Sequence, residues 1–162
     1  MGNVFHGGTR SLSMSNGGTS VFVEVLMLAV TDLAGRPWDY RFATLLTLQD
    51  QSIMGRGAVG FDLEDIDWGR SRQQQAEAKD FVLRVIDLAL RRHRWDELRY
   101  DPPFAQDYLH EFRDMVDAFD PAIAERHSGT FPSADEAASA SCVRHRVLSS
   151  LPHWEGCVFC NT

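Results

Sequence analysis

Residues 21–30 read VFVEVLMLAV, the longest apolar stretch in the chain. Its two alternating rows of side chains are both largely apolar, which is typical of a strand that is covered on both faces. The stretch therefore predicts the central strand of a sheet. It is about half the length needed to cross a bilayer and contains Glu24, so we predict no membrane span.

The segments after residues 21–30 also favour extended structure. Residues 31–37 contain an aspartate, a glycine and a proline, which together indicate a turn. Apolar and polar residues alternate through residues 38–48, so we predict a second strand that forms a hairpin with the first. Three glycines interrupt a third extended piece at residues 53–63, which indicates a bulged strand or a sheet edge.

Helical periodicity replaces this alternation in the second half of the chain. Ser71 followed by Gln74 matches a capping box, and apolar residues at three- and four-residue steps then predict a helix that ends near His93. Asp101 as N-cap with Pro102 at the first helical position predicts the start of a second helix. The apolar stripes of the two helices are Ala78, Phe81, Val82, Val85, Ile86 and Ala89, and Phe104, Tyr108, Phe112, Met115, Val116 and Phe119. The predicted fold class is α+β, with a small antiparallel sheet packed against two main helices and a zinc-ribbon-like tail.

The 162 residues are enough for one domain with a small appendage. Residues 1–19 are rich in glycine, serine and asparagine and predict a flexible lead-in. Residues 20–127 form the predicted α+β domain, residues 128–141 a linker, and residues 142–162 the tail. Because the N-terminus lacks the continuous apolar centre of a secretory signal, we expect a cytoplasmic protein.

All three cysteines lie in the tail, where Cys142 and His145 precede Cys157 and Cys160 in a C-x2-H…C-x2-C pattern. Two such turns supply the four nitrogen and sulfur ligands of a tetrahedral zinc site. Four protein ligands leave no open position, so the predicted Zn²⁺ is structural. His153 is the alternative fourth ligand. Free cysteines and a redox pair are the competing interpretations, whereas an odd number of cysteines disfavours a disulfide framework.

The chain is acidic, with 16 basic and 23 acidic residues and a net charge of −7. This balance argues against nucleic-acid binding through a broad basic surface and favours a basic partner. Four acids lie close together between the predicted sheet and the first predicted helix: Asp62, Glu64, Asp65 and Asp67. With Trp68 beside them as an aromatic anchor, they form the predicted partner-binding surface.

Other roles for this acidic loop stay open. It is dense enough to hold a hard cation but lacks the glycine-centred spacing of a calcium loop. It contains carboxylates for catalysis, but no partner base or nucleophile is evident, and no complete nucleophile-elbow, zinc-protease, P-loop or dinucleotide motif occurs in the chain. The simplest alternative is a solvated loop whose last acids lie favourably at a helix N-terminus.

Three segments together carry a resemblance to a known class of protein. They are GFDLEDIDW at residues 60–68, WDELRYDPP at residues 95–103 and GCVFCN at residues 156–161, with Cys142 and His145 upstream of the last. The combination resembles small bacterial immunity-type proteins, which are found beside polymorphic or contact-dependent toxins. The resemblance implies a stoichiometric inhibitor that occludes the active site of a cognate toxin.

The leading hypothesis is therefore a non-enzymatic inhibitor that binds a basic toxin, with no nucleic-acid or membrane partner. A metal-dependent hydrolase that uses the acidic loop is the second hypothesis. A regulatory adaptor that docks another protein through its zinc ribbon is the third.

Overall fold

The computed structural model describes residues 3–49, 60–102, 104–124, 131–135, 137, 140–141, 145, 147–149 and 159. In this part of the chain, four α-helices and two two-stranded antiparallel sheets form an α+β fold, which confirms the predicted class. The elements in chain order are β1 (Asn3–Gly7), β2 (Arg10–Met14), α1 (Asn16–Leu33), α2 (Pro37–Thr47), α3 (Arg72–Leu90), α4 (Ala105–Ala118), β3 (Ala140–Ser141) and β4 (Leu148–Ser149). Short 3-10 helices at Leu63–Asp65, Trp95–Glu97 and Pro121–Ile123 lie in the connections.

The stretch predicted as the central strand is the middle of α1, so that prediction is wrong. Every side chain from Phe22 to Val30 is buried, because α1 is in contact with β2, α2, α3 and α4. A helix surrounded on all sides has apolar residues at every position, as a strand covered on both faces does, so periodicity does not distinguish the two. The helix begins after Ser15, whose hydroxyl accepts a hydrogen bond from the backbone N–H of Gly18 at 3.0 Å.

The predicted second strand, residues 38–48, is also wrong, since α2 occupies these positions. Pro37 stands at the first helical position, where its missing N–H costs nothing. The buried carboxylate of Asp39 accepts hydrogen bonds from the backbone N–H groups of Gly35 and Arg36, both at 3.0 Å. These local caps stabilise the start of the helix. The alternation of apolar and polar residues at 38–48 had favoured a strand instead.

Most of the third predicted strand, residues 53–59, lies outside the described residues. In the described residues that follow, from residue 60 onward, Asp62 forms a single parallel β-bridge with His6 of β1. Gly60 has a φ of +78°, and a Cβ atom at this position would lie 1.9 Å from the carbonyl oxygen of Val4. Only glycine permits the chain to approach β1 this closely.

The N-terminal residues form a β-hairpin, so the predicted flexible lead-in at residues 1–19 is wrong for the described part. β1 pairs with β2 in register from Asn3 opposite Met14 to Gly7 opposite Arg10. Phe5, Leu12 and Met14 are buried, while the side chains between them are mostly exposed. Every second residue of the hairpin faces the body, and its few large side chains pack against α1 and α4. Because the other residues of this segment are mostly polar, the alternation was not recognised from the sequence.

The two helices predicted from their amphipathic stripes are present as α3 and α4. At the start of α3, Ser71 and Gln74 form the predicted capping box. The helix ends at Leu90, three residues before the predicted end. α4 begins at Ala105 rather than at Asp101, because the chain first passes through a left-handed N-cap residue, Phe104, at φ 59°.

The described C-terminal residues pack on the body, which differs from the linker predicted at residues 128–141. Phe131 and Pro132 are buried, and the carbonyl oxygen of Pro132 accepts a hydrogen bond from Nε of Arg41 at 2.7 Å. β3 and β4 form a two-residue antiparallel pair, and Val147 and Leu148 join the core. Among the described residues, no helix combines the length and the apolar character that crossing a membrane requires.

Candidate functional site

Two of the four acids in the predicted acidic loop have structural roles. The side chain of Asp62 caps the 3-10 helix Leu63–Asp65, with Oδ1 accepting from the backbone N–H of Glu64 at 2.9 Å. Asp67 accepts from the N–H of Gly69 at 3.1 Å through Oδ1 and forms an ion pair with Arg41 at 3.2 Å through Oδ2. These carboxylates order the loop ahead of α3, so only a part of the loop's charge is available to a partner.

Trp68, predicted as an aromatic anchor for a partner, is a core residue. It is 3 % exposed, and its indole N–H donates to the carbonyl oxygen of Leu63 at 2.8 Å. Its ring centroid lies 5.8 Å from those of both Trp38 and Phe119. The anchor prediction is therefore wrong, because the side chain is enclosed by aromatic rings from α2 and the segment after α4.

All four loop acids are half-buried, but the side chains of Glu64 and Asp65 differ from those of Asp62 and Asp67 in making no hydrogen bond or ion pair within the described ranges. They adjoin Leu63, which packs against α4. A Cβ atom at Gly7 would lie 2.6 Å both from Leu63 Cδ1 and from Met115 Cγ, so these two side chains are near neighbours at the end of β1. The fold thus brings the acidic loop to α4.

The exposed face of α4 carries four more carboxylates, which we call the α4 acidic face: Asp107, Glu111, Asp114 and Asp117. Their spacing of four, three and three residues places them along one side of the helix. None of the four forms an ion pair within the described part of the chain. Eight other acids among the described residues are paired with basic side chains, namely Asp32, Asp39, Asp67, Glu77, Asp80, Asp87, Glu97 and Asp101.

Two basic residues lie beside the α4 acidic face: Lys79, whose Nζ donates to the backbone carbonyl oxygen of Asp117 at 2.7 Å, and Arg113, which is turned towards α3. Its Nε atom lies 2.6 Å from Oδ1 of Asp87. This hydrogen bond is the main cause that raises the pKa of Arg113, and the negative charges of Asp117 and Asp114 raise it further. Because Asp87 holds the guanidinium of Arg113 towards α3, this positive charge does not pair with the carboxylates on the outer side of α4.

A strained segment leads into α4. Three residues that are not glycine have positive φ in the described chain: Arg92 at 62°, Arg94 at 61° and Phe104 at 59°. Left-handed conformations of bulky residues are uncommon and concentrate at functional sites. Phe104 is 70 % exposed and directly precedes the α4 acidic face.

Tyr100, in the same segment, connects the exposed surface to a buried residue of α1. Its hydroxyl group donates a hydrogen bond to the carboxylate of Glu24, which is buried in the middle of α1. Partial burial raises the pKa of Tyr100, and the hydrogen bond to Glu24 and its negative charge raise it further. The neutral phenol therefore serves as a fixed donor to a buried acid.

The predicted zinc ligands Cys142, Cys157 and Cys160, and the alternative ligand His153, lie outside the described residues. His145 is described, and its ring lies 5.9 Å from the ring of Phe159, a residue between Cys157 and Cys160 in the sequence. Within the described ranges, no group of three or more His, Cys, Asp or Glu side chains is arranged to hold a metal ion. The four loop acids do not converge on a cation site.

Comparison of the chain with protein-family models, with curated proteins and with solved structures finds no significant match.

Proposed function

We propose that the chain is a non-enzymatic, immunity-type inhibitor that acts in the cytoplasm by binding a cognate toxin with a basic surface. The observation that carries this proposal is the α4 acidic face, where four exposed carboxylates lie along one helix without ion pairs to any described residue. At a rise of 1.5 Å per residue, the ten steps from Asp107 to Asp117 span about 15 Å. That length matches a partner that presents several basic side chains in a row.

Most of the α4 acidic face does not stabilise α4, although Asp107 lies in the first turn, where the helix dipole favours an acid. Three successive pairs of like charges at i,i+3 or i,i+4 each destabilise a helix by about 0.2–0.5 kcal/mol, so the three together cost about 1 kcal/mol. Asp117 lies in the last turn, where the helix dipole disfavours an acid. Such a cost is expected where the charges serve association, because complementary potentials raise the rate and the specificity of binding.

Phe104 supplies the apolar contact that such an interface needs. It stands at the start of the α4 acidic face and is the most exposed of the large hydrophobic side chains in the described chain. Binding energy in protein interfaces concentrates in a few aromatic and arginine anchors. We therefore assign to Phe104 the anchor role that was predicted for Trp68.

Neutralising the face tests the proposal. The test variant combines Asp107→Asn, Glu111→Gln and Asp114→Asn. The control variant removes three other exposed acids, through Asp80→Asn, Asp96→Asn and Asp135→Asn. Both variants change the net charge equally. We expect the test variant to bind the proposed cognate toxin about 100-fold more weakly and to lose protection of growth on co-expression, because steering and charge pairing are lost.

The control variant should bind and protect as the unmodified chain does. Equal loss in both variants would show that only net charge matters, and unchanged protection by the test variant would remove α4 from the interface. Hydrolysis of nucleic acid or phosphate esters by the purified chain with Mg²⁺ or Mn²⁺ would favour the metal-dependent hydrolase instead.

We further propose that a structural Zn²⁺ closes the C-terminal tail through Cys142, His145, Cys157 and Cys160. The contact between the rings of His145 and Phe159 supports it, because two segments that share a metal ion must lie together. A chain with four protein ligands at this ion has no open position, so the ion would stabilise the tail without taking part in catalysis.

A further inference from the structure

A cleft of about 460 Å³ opens between the N-terminal ends of α2 and α3. Its volume falls in the range of small-molecule sites in proteins. Arg36, Arg41 and Arg70 line it together with Trp38 and Trp68. This cleft lies on elements other than α4, so its function is independent of the proposed inhibitor role.

The cleft is cationic in an acidic chain. Its charged lining residues are three arginines and two acids, Asp67 and Glu77, which leaves a net charge of +1 in a protein of net charge −7. The first turns of α2 and α3 also contribute lining residues, although the side chains of Asp39 and Gln74 already accept hydrogen bonds from backbone N–H groups at these two helix starts. The preference of the cleft for an anion therefore depends on its arginine side chains.

Arg41 is held in place, whereas Arg70 is available. Arg41 donates from Nε to the carbonyl oxygen of Pro132, pairs with Asp67, and lies over the ring of Phe131 at 4.7 Å. The backbone N–H of Arg70 is fixed by the side chain of Gln74 at 2.9 Å. The guanidinium of Arg70 forms no hydrogen bond or ion pair within the described residues.

Arg36 adds a third guanidinium at the rim of the cleft. Its Nη1 atom lies 3.0 Å from Oε2 of Glu77, and both side chains are nearly half exposed. Exposed pairs of this kind are weak, so a ligand can compete for the guanidinium. Each arginine has five N–H donors, more than these contacts use.

Aromatic side chains form the apolar wall of the cleft. The rings of Trp38 and Trp68 stack with centroids 5.8 Å apart and an interplanar angle of 28°. Trp38 is half-buried, and its indole N–H donates to the carbonyl oxygen of Asp67 at 2.6 Å, which fixes its orientation. Because Trp68 is only 3 % exposed, a flat apolar group would pack beside the half-buried ring of Trp38 while its charged end reaches the arginines.

We propose that this cleft binds an organic anion that joins a phosphate or carboxylate group to a planar apolar ring. The anionic group lies between the arginines, with Arg70 as the donor that has no side-chain partner among the described residues, and the ring packs beside Trp38. Two-point recognition predicts that neither part alone binds as well as the whole.

The test is an NMR titration of the full chain with phenyl phosphate, inorganic phosphate and benzyl alcohol as separate probes. We expect phenyl phosphate to shift the indole signal of Trp38 and the amide signal of Gly69 saturably, with a Kd of about 1 mM or lower. Inorganic phosphate should bind about tenfold more weakly, and benzyl alcohol should produce no saturable shift.

Arg70→Gln should weaken phenyl phosphate binding about tenfold, while the matched control Arg91→Gln, at an exposed site on the end of α3, should leave it unchanged. Because the Arg70 side chain makes no contact of this kind in the described chain, the variant should fold normally. Absence of shifts at about 10 mM phenyl phosphate would overturn the proposal. So would equal binding by the Arg70→Gln variant, or equal binding of phenyl phosphate and inorganic phosphate.

Discussion

Replacing Phe5 by alanine tests whether the N-terminal hairpin belongs to the folded core. Phe5 is 1 % exposed, and its ring centroid lies 5.4, 4.9 and 6.4 Å from those of Phe22, Phe61 and Phe112. Truncation of a buried phenylalanine costs about 3–5 kcal/mol, because it loses the transfer free energy and leaves a cavity. For a chain of this length, the expected fall in Tm is about 6–20 °C.

Urea denaturation followed by far-UV circular dichroism measures the free energy of unfolding. The matched control is Phe104→Ala, which removes the same side chain from a 70 % exposed site and should change that free energy by less than about 0.5 kcal/mol. If Phe5→Ala proves as neutral as Phe104→Ala, the hairpin does not pack on the body and the core described above is incorrect.

Three further predictions concern single positions. Gly60→Ala should lower the free energy of unfolding by more than about 2 kcal/mol, because its Cβ would strike the backbone of β1 at positive φ, whereas Gly35→Ala, with open space around it, should be nearly neutral by the same denaturation assay. Tyr100→Phe should cost about 1–3 kcal/mol, since it removes a donor to the buried carboxylate of Glu24. The raised pKa of Tyr100 means that the neutral phenol stabilises the fold below the ordinary tyrosine pKa of about 10, and this stability is lost as the pH rises above it. The unmodified chain should therefore lose more stability than Tyr100→Phe in alkaline urea titrations, and parallel curves would contradict this. Elemental analysis should find about one zinc per chain and none after Cys157→Ser, and a metal-free unmodified chain would refute the zinc site.

Local signals were sufficient for α3. The capping box of Ser71 and Gln74 lies within four residues, and the apolar stripe from Ala78 to Ala89 repeats over about three turns on a helix with one buried face. The same applies to α4, although its start depended on Phe104 taking a left-handed conformation that no local pattern indicates. Once the buried residues of α4 establish its phase, the positions of Asp107 and Glu111 on the outer face follow from the sequence, so the α4 acidic face was open to sequence reasoning.

The acidic loop shows the opposite case. The sequence shows that acids are dense at residues 62–67, but it does not show which of these carboxylates could contact a partner. Asp67 pairs with Arg41, which lies 26 residues earlier, and Trp68 is enclosed by rings from distant segments. Side chains that look alike in the sequence therefore have different roles according to their neighbours in space.

The acidic charge and the two helices with one buried face could be predicted from the amino-acid sequence, because they depend on composition and on contacts between residues a few positions apart. The α+β class was predicted from strands at residues 21–30 and 38–48 that are helices, whereas the observed hairpin lies at residues 3–14; contacts between distant segments make the first stretch a helix and the last part of the core. A segment that is buried on every side lacks the apolar periodicity that distinguishes a helix from a strand. A short, mostly polar hairpin is stable only where its few large side chains pack against the rest of the protein. Packing between distant segments decided both, and it also brought three arginines and two tryptophans together in one cleft.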